Sequence, residues 1–272
     1  MDSKDYAAAA RHYDPAYEAK EDLGADVVFY RDLAVANRGP VLEVACGTGR
    51  VLLEIADVGI EIDGLDYCDP FLDILRAKLA QRPPETQSNV ILHRGDMRDF
   101  SLGKKFPLII IPFRPLQHLY TIEDQIATFM QLRTHLTDRG QLAFNVFAPR
   151  YDLLEQIGHE QVDTEYPDPD DPELIVRRYF VRHSLNRLQQ YFDGEFIYRT
   201  FRGDKIVLEE RAPLRMSYYS YPHLQLLFEH CGFEVEAEYG SFEKEPIEVF
   251  KEMIFVLRKK QGGRGSDTRL RL

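Results

Sequence analysis

Glu43, Gly47, Gly49, Asp66 and Asp96 are the residues whose types and spacing promise chemistry. In Val41-Leu42-Glu43-Val44-Ala45-Cys46-Gly47-Thr48-Gly49-Arg50, a buried-strand pattern runs into a glycine turn and the first turn of a helix. Glycines at 47 and 49 let a backbone approach a ligand where a side chain would clash or demand an unfavourable positive φ. The dinucleotide fingerprint needs a third glycine three residues after Gly49, but Leu52 stands there, which disfavours a nicotinamide or flavin dinucleotide. Glu43 points the same way, because a carboxylate beside the turn repels a pyrophosphate yet accepts hydrogen bonds from an ammonium or ribose group. Asp66 follows Gly49 by 17 positions at the end of Ile62-Asp63-Gly64-Leu65-Asp66, where a carboxylate can accept both ribose hydroxyls. In Gly95-Asp96-Met97, Asp96 can accept from an adenine amino group while Met97 packs against the ring. The ligand so described is a nucleoside with a cationic end and no phosphate, as S-adenosylmethionine (SAM) is.

These residues need a sheet to bring them together. Strand patterns at 41–45, 61–65, 90–93, 108–111 and 141–147 alternate with helical or turn-rich stretches, which specifies an α/β domain with a mainly parallel sheet. Glu43, Asp66 and Asp96 then fall at the ends of three successive strands, the edge where open α/β sheets bind ligands. Residues 16–36, with Leu23, Val27, Val28, Phe29 and Leu33 as an apolar stripe, read as one helix leading into the sheet. A helix at 222–231, a Gly232 stop and strands at 233–239 and 252–258 complete it. Between the halves, 163–172 is acidic and proline-rich and precedes alternating stretches at 174–183, 187–191, 196–202 and 205–213, read as an antiparallel insertion serving as a lid or a dimer surface. The expected organisation is a Rossmann-like seven-stranded core from 1–150 and 214–258, an insertion at 151–213, and a polar, disordered tail at 259–272.

On Glu43 to Gly49, Gly64-Leu65-Asp66, Gly95 to Phe100, Gln117-His118-Leu119 and His135-Leu136, the chain resembles class I SAM-dependent methyltransferases, and among them the small-molecule, amino-sugar type of N-methyltransferase. The similarity spans about 5–147 and, more loosely, 213–258. It implies that Glu43, Ala45, Gly47, Gly49, Asp66, Tyr67, Asp96 and Met97 surround the cofactor, with the backbone at Pro112 near its methionine moiety. It also implies that Tyr6, Tyr13 and Tyr17 belong to an N-terminal cover, Tyr13 on the cofactor side and Tyr6 or Tyr17 toward the acceptor.

Methyl transfer from a sulfonium is an in-line displacement, so alignment and exclusion of water do much of the work. His118, just past the fourth strand, has the pKa range of a base or substrate orienter near neutrality. Arg114 stands where amino-sugar enzymes carry small polar residues, and a guanidinium at the pocket mouth suits an acceptor bearing carboxylate or phosphate. The exit Pro112-Phe113-Arg114-Pro115 lacks the Asn-Pro-Pro-aromatic loop of enzymes that methylate amino groups of nucleic-acid bases.

Composition narrows the choice. The 272 residues, 44% hydrophobic and 29% charged, suit a folded enzyme, and a formal net charge of −11 opposes adhesion to nucleic acid or anionic membrane. Cys46, Cys68 and Cys231 are too dispersed for a disulfide framework or a CxxC metal clip, so no metal is expected and a reducing cytoplasm fits. No apolar run approaches ~20 residues. The expected function is SAM-dependent methyl transfer to N or O of a small molecule, with a second copy of the chain as a candidate partner. A noncatalytic SAM-binding module or partner subunit is the alternative from another class, and protein or nucleic-acid methylation ranks below both.

Overall fold

A computed structural model describes residues 7–20 and 24–260. The apolar runs of β1 (Val41–Val44) and β4 (Phe106–Ile111) put them at the centre of a sheet, because strands buried on both faces cannot alternate polar and apolar residues. Around them the seven strands run β10 (Phe233–Tyr239), β11 (Glu252–Lys259), β5 (Leu136–Phe147), β4, β1, β2 (Ile62–Asp66), β3 (Val90–Arg94). Pairing from β5 through β3 is parallel, while β11 lies antiparallel to β5 and β10 antiparallel to β11. The fold class matches the sequence reading.

Strand alternation sorts the core into two faces. Leu42, Val44, Ile109 and Ile111 join Phe129, Phe144, Phe228 and Phe255 on one. Val41, Leu108 and Ile110 join Tyr30, Leu52, Leu72 and Leu75 on the other, where Glu43 follows Val41 by the same period. From central β1 the chain winds outward to β2 and β3, then returns to β4 on the opposite side of β1. The reversal parts the loops after β1 and β4 and opens a crevice at their C-terminal ends.

The expected 16–36 helix is two helices, α1 (Ala7–Glu18) and α2 (Ala25–Asn37). Leu23 lies outside the described residues. The insertion is a four-stranded antiparallel sheet, β6 (Gln161–Pro167), β7 (Ile175–Asn186), β8 (Tyr191–Arg202) and β9 (Lys205–Ser217), in that spatial order. Three details differ from the sequence reading. The start of the acidic, proline-rich stretch belongs to strand β6, whose charged side chains pair with Arg177 and Arg178 of β7 and with Lys20. Residues 187–190 form a turn rather than a strand, with Gln190 at φ 56° and the Asn186 side chain accepting from the Gln189 N–H. β9 runs past the expected boundary to Ser217, whose hydroxyl donates to the Leu119 carbonyl and stitches the insertion to the core. β11 ends at Lys259, and the tail at 261–272 lies outside the described residues.

Candidate active site

The turn after β1 holds three residues in left-handed backbone: Ala45 at φ 58°, Gly47 at φ 55° and Gly49 at φ 83°. The two glycines do different things. A Cβ on Gly47 would meet nothing within 4 Å, so its backbone borders open space that a ligand can approach. A Cβ on Gly49 would overlap Leu75 of the helix Asp69–Leu79, so this glycine serves helix–sheet packing, the part the dinucleotide fingerprint gives its third glycine. Asp66 fastens the turn from the end of β2: one carboxylate oxygen accepts the Gly47 N–H at 2.8 Å and the other the Cys68 N–H at 2.8 Å. Burial raises its pKa, and those N–H groups oppose the rise.

An open cleft lies where the chain reverses, between the β1 loop and the β4 exit. Glu43, Ala45, Gly47 and Thr48 form one wall, Pro112, Phe113 and Pro115 the other, and Arg50 and Tyr13 border it. Glu43 is 3% exposed and its Oε2 has no hydrogen-bond partner. Burial pushes the Glu43 carboxyl well above its ordinary value, with the Arg50 charge pulling the other way. A buried acceptor left unpaired costs about 1–3 kcal/mol, and more when it is charged, and a ligand ammonium would supply the missing partner. Arg50 is gripped by Asp26 of α2, with Nη1 to Oδ1 at 2.8 Å and Nη2 to Oδ2, and stands 5.0 Å above the Phe113 ring.

Helix α1 forms the roof and ties the cleft to the insertion. Asp14 accepts from the Thr48 hydroxyl at 2.6 Å and pairs with Lys78 at 2.6 Å. Tyr13 packs on Phe71 and Tyr17, and Tyr17 sets its ring edge-on to Phe113 at 4.7 Å. Burial raises the Tyr13 phenol well above its usual value, leaving it a neutral donor. On the opposite side of the helix, Arg11 binds both oxygens of Asp168, while buried His12 stacks on Tyr198 and bonds Glu210 at 2.9 Å.

Residues 41–140, from β1 into β5, match the family described as Methyltransferase domain. A putative methyltransferase of Bacillus subtilis, YqeM, is 28% identical over 230 residues, 84% of this chain and 87% of that protein. The dTDP-3-amino-3,6-dideoxy-alpha-D-glucopyranose N,N-dimethyltransferase of Streptomyces fradiae is 35% identical over 100 residues, 37% of this chain and 36% of that protein. The chain is a SAM-dependent methyltransferase. Its fold is shared with SAM-bound CalS10, an amino pentose methyltransferase from Micromonospora echinaspora, at TM-score 0.71 and 21% identity over 92% of this chain and 97% of that one.

In this methyltransferase the expected cofactor residues divide. Tyr13, Glu43, Ala45, Gly47 and Pro112 line the cleft. Gly49 and Asp66 stand behind it as packing and clamp. Tyr67, Asp96 and Met97 follow β2 and β3 on the same sheet edge without lining the cleft. Met97 is packed against the core, and Asp96 is held by Arg98 (Nε to Oδ1 at 3.0 Å), whose bonds keep its carboxyl below the usual range.

The expected catalytic residues are more scattered. His118 closes the 3-10 turn Pro115–His118, half-buried, and burial pushes its imidazole down to about 4 against a hydrogen bond to the Arg215 backbone. It does not line the cleft. The Arg114 guanidinium is engaged by Glu252, with Nε to Oε2 at 3.3 Å and Nη2 to Oε1. Tyr17 reaches the cleft through Phe113 and Tyr13 rather than lining it. Tyr6 lies outside the described residues. Sequence reasoning passed over Asp26, Asp14, Thr48, Phe113, Asn145 and Glu252. Thr48 and Phe113 sit inside the quoted motifs and were legible there, whereas Asp26, Asn145 and Glu252 carry no local signature.

Proposed function

We propose that this enzyme methylates the amino nitrogen of a small, sugar-type acceptor. The observation that carries the reading is the cleft at the sheet's reversal, whose Glu43 oxygen awaits a cationic partner while the Gly47 backbone borders open space. Relatives named as amino-sugar N,N-dimethyltransferases support the acceptor class. Arg114 pointed toward an anionic acceptor, but its pairing with Glu252 uses that charge within the protein.

SAM, when bound, supplies an electrophilic methyl group on a sulfonium. Glu43 holds its ammonium, and Asp66, beyond clamping the turn, faces the ribose together with Tyr67. Asp96 and Met97 take the adenine side. Tyr13 and Tyr17 on α1 would exclude water from the reacting centre, where bound SAM would supply the methyl group and keep the sulfur–carbon electron pair on sulfur while the acceptor nitrogen gave up a proton. His118, neutral at pH 7, set back from the cleft and bonded to the Arg215 backbone, orders the acceptor's surroundings rather than acting as a strong base. A net charge of −11 supports a non-nucleic-acid acceptor, and three dispersed cysteines fit a reducing cytoplasm. Among the described residues no helix is long and apolar enough to cross a membrane.

The test is incubation with methyl-labelled SAM and a panel of free and nucleotide-linked amino sugars and their hydroxy counterparts. Label is expected on the amines. Label on the hydroxy compounds alone, or SAM bound and never consumed across the panel, would overturn the proposal.

A further inference from the structure

The chain leaves β4 through two consecutive non-glycine residues in left-handed backbone, Phe113 at φ 66° and Arg114 at φ 71°. Side chains disfavour that region, so the surroundings must impose it. A buried network does so. Asn145 of β5 accepts at Oδ1 from the Phe113 N–H and from the Tyr30 hydroxyl, each at 2.9 Å, and its Nδ2 donates to Glu252 Oε2 at 2.9 Å. Glu252 opens β11, is 7% exposed, and takes the Arg114 guanidinium on both oxygens. The backbone thus held projects Phe113 into the cleft wall, edge-on to Tyr17 and beneath Arg50.

We propose that Glu252 is a positioning residue for the cleft: by holding Arg114 in left-handed backbone while Asn145 holds the Phe113 N–H, it fixes the wall on which α1 closes. Only its consequence for cofactor affinity rests on the reading of the cleft as a SAM site. Ion pair and backbone strain belong together here, because the pair is what makes a glycine unnecessary at 114.

The chain has no tryptophan, so F113W introduces a single emitter at the wall. Its emission is measured with and without E252Q, and with the double changes R114A/E252Q and R114G/E252Q. S-adenosylhomocysteine affinity is measured by calorimetry for the same set with Phe113 retained, and thermal melting gives the folded fraction. E252Q is expected to shift the emission to the red and to weaken binding at least five-fold. R114A/E252Q should behave like E252Q, whereas R114G/E252Q should return to within about two-fold of the unmodified chain, since glycine adopts φ near +70° without an ion pair. Unchanged emission in E252Q, or equal behaviour of the two double variants, would overturn the proposal and leave Glu252 as a mere partner for a buried charge. If the emission responds as expected but the unmodified chain binds no S-adenosylhomocysteine, the cofactor reading falls and the positioning role stands.

Discussion

A single orphaned oxygen, Glu43 Oε2, links stability to binding at this site. The buried carboxyl has a raised pKa, so the ligand-free fold gains stability at low pH, where Glu43 is protonated, and loses it as pH climbs from the ordinary glutamate range through the raised folded value. E43Q should therefore leave the ligand-free protein as stable or more stable at pH 7.5 by thermal melting, yet weaken SAM at least ten-fold by calorimetry. Unmodified protein should bind SAM with proton release and tighter as pH rises. The two glycines allow a second separation. G49A carries both overpacking against Leu75 and positive-φ strain, and should cost about 2–4 kcal/mol of unfolding free energy. G47A, with open space around it, should cost about 1–2 kcal/mol and act mainly on SAM affinity. At His118, a pKa near 4 predicts that H118N lowers kcat by less than the ~10²–10⁴-fold loss that follows removal of a general base. A larger loss with a changed pH profile would restore the base assignment.

At the scale of elements, α1 holds the molecule's two sheets in register over the cleft. Its Asp14 is bonded to Thr48 in the glycine turn after β1, and Arg11 and His12 to the insertion. Burial lowers the His12 pKa, with Glu210 and Asp168 opposing and Arg11 assisting. A depressed histidine stabilises above its unfolded value and loses that contribution as pH falls, so α1 should loosen on the acid side of about pH 6.5. Hydrogen exchange of α1 amides, corrected for intrinsic rates, should show more opening at pH 5 than at pH 7.5. H12Q should remove most of that difference, and an unchanged pH response would show that His12 does not control the contact.

For the whole molecule, ligand binding should appear as stability, because a ligand that binds only the folded state adds about 2.7 kcal/mol at 100 times Kd. SAM or S-adenosylhomocysteine at that excess should raise Tm by several degrees, and E43Q should forfeit most of the rise at the same concentration. Flat melting curves across a saturating titration would speak against the cleft as a cofactor site.

The sequence by itself determined the α/β class, the central strands and the glycine turn that follows β1. Those are local properties: short apolar runs bounded by turn residues read as strands covered on both faces, and the missing side chain of Gly47 permits the positive φ it adopts. Only the tertiary structure decided what each polar residue faces. Gly49 meets Leu75 from another helix, Arg114 finds Glu252 138 positions away, and Arg11 finds Asp168 157 positions away. His118 spends its hydrogen bond on the Arg215 backbone of the insertion. Local chemistry names the groups a chain carries, but strand order and packing choose their partners, and in this enzyme that choice set which residues line the cleft and which hold its walls.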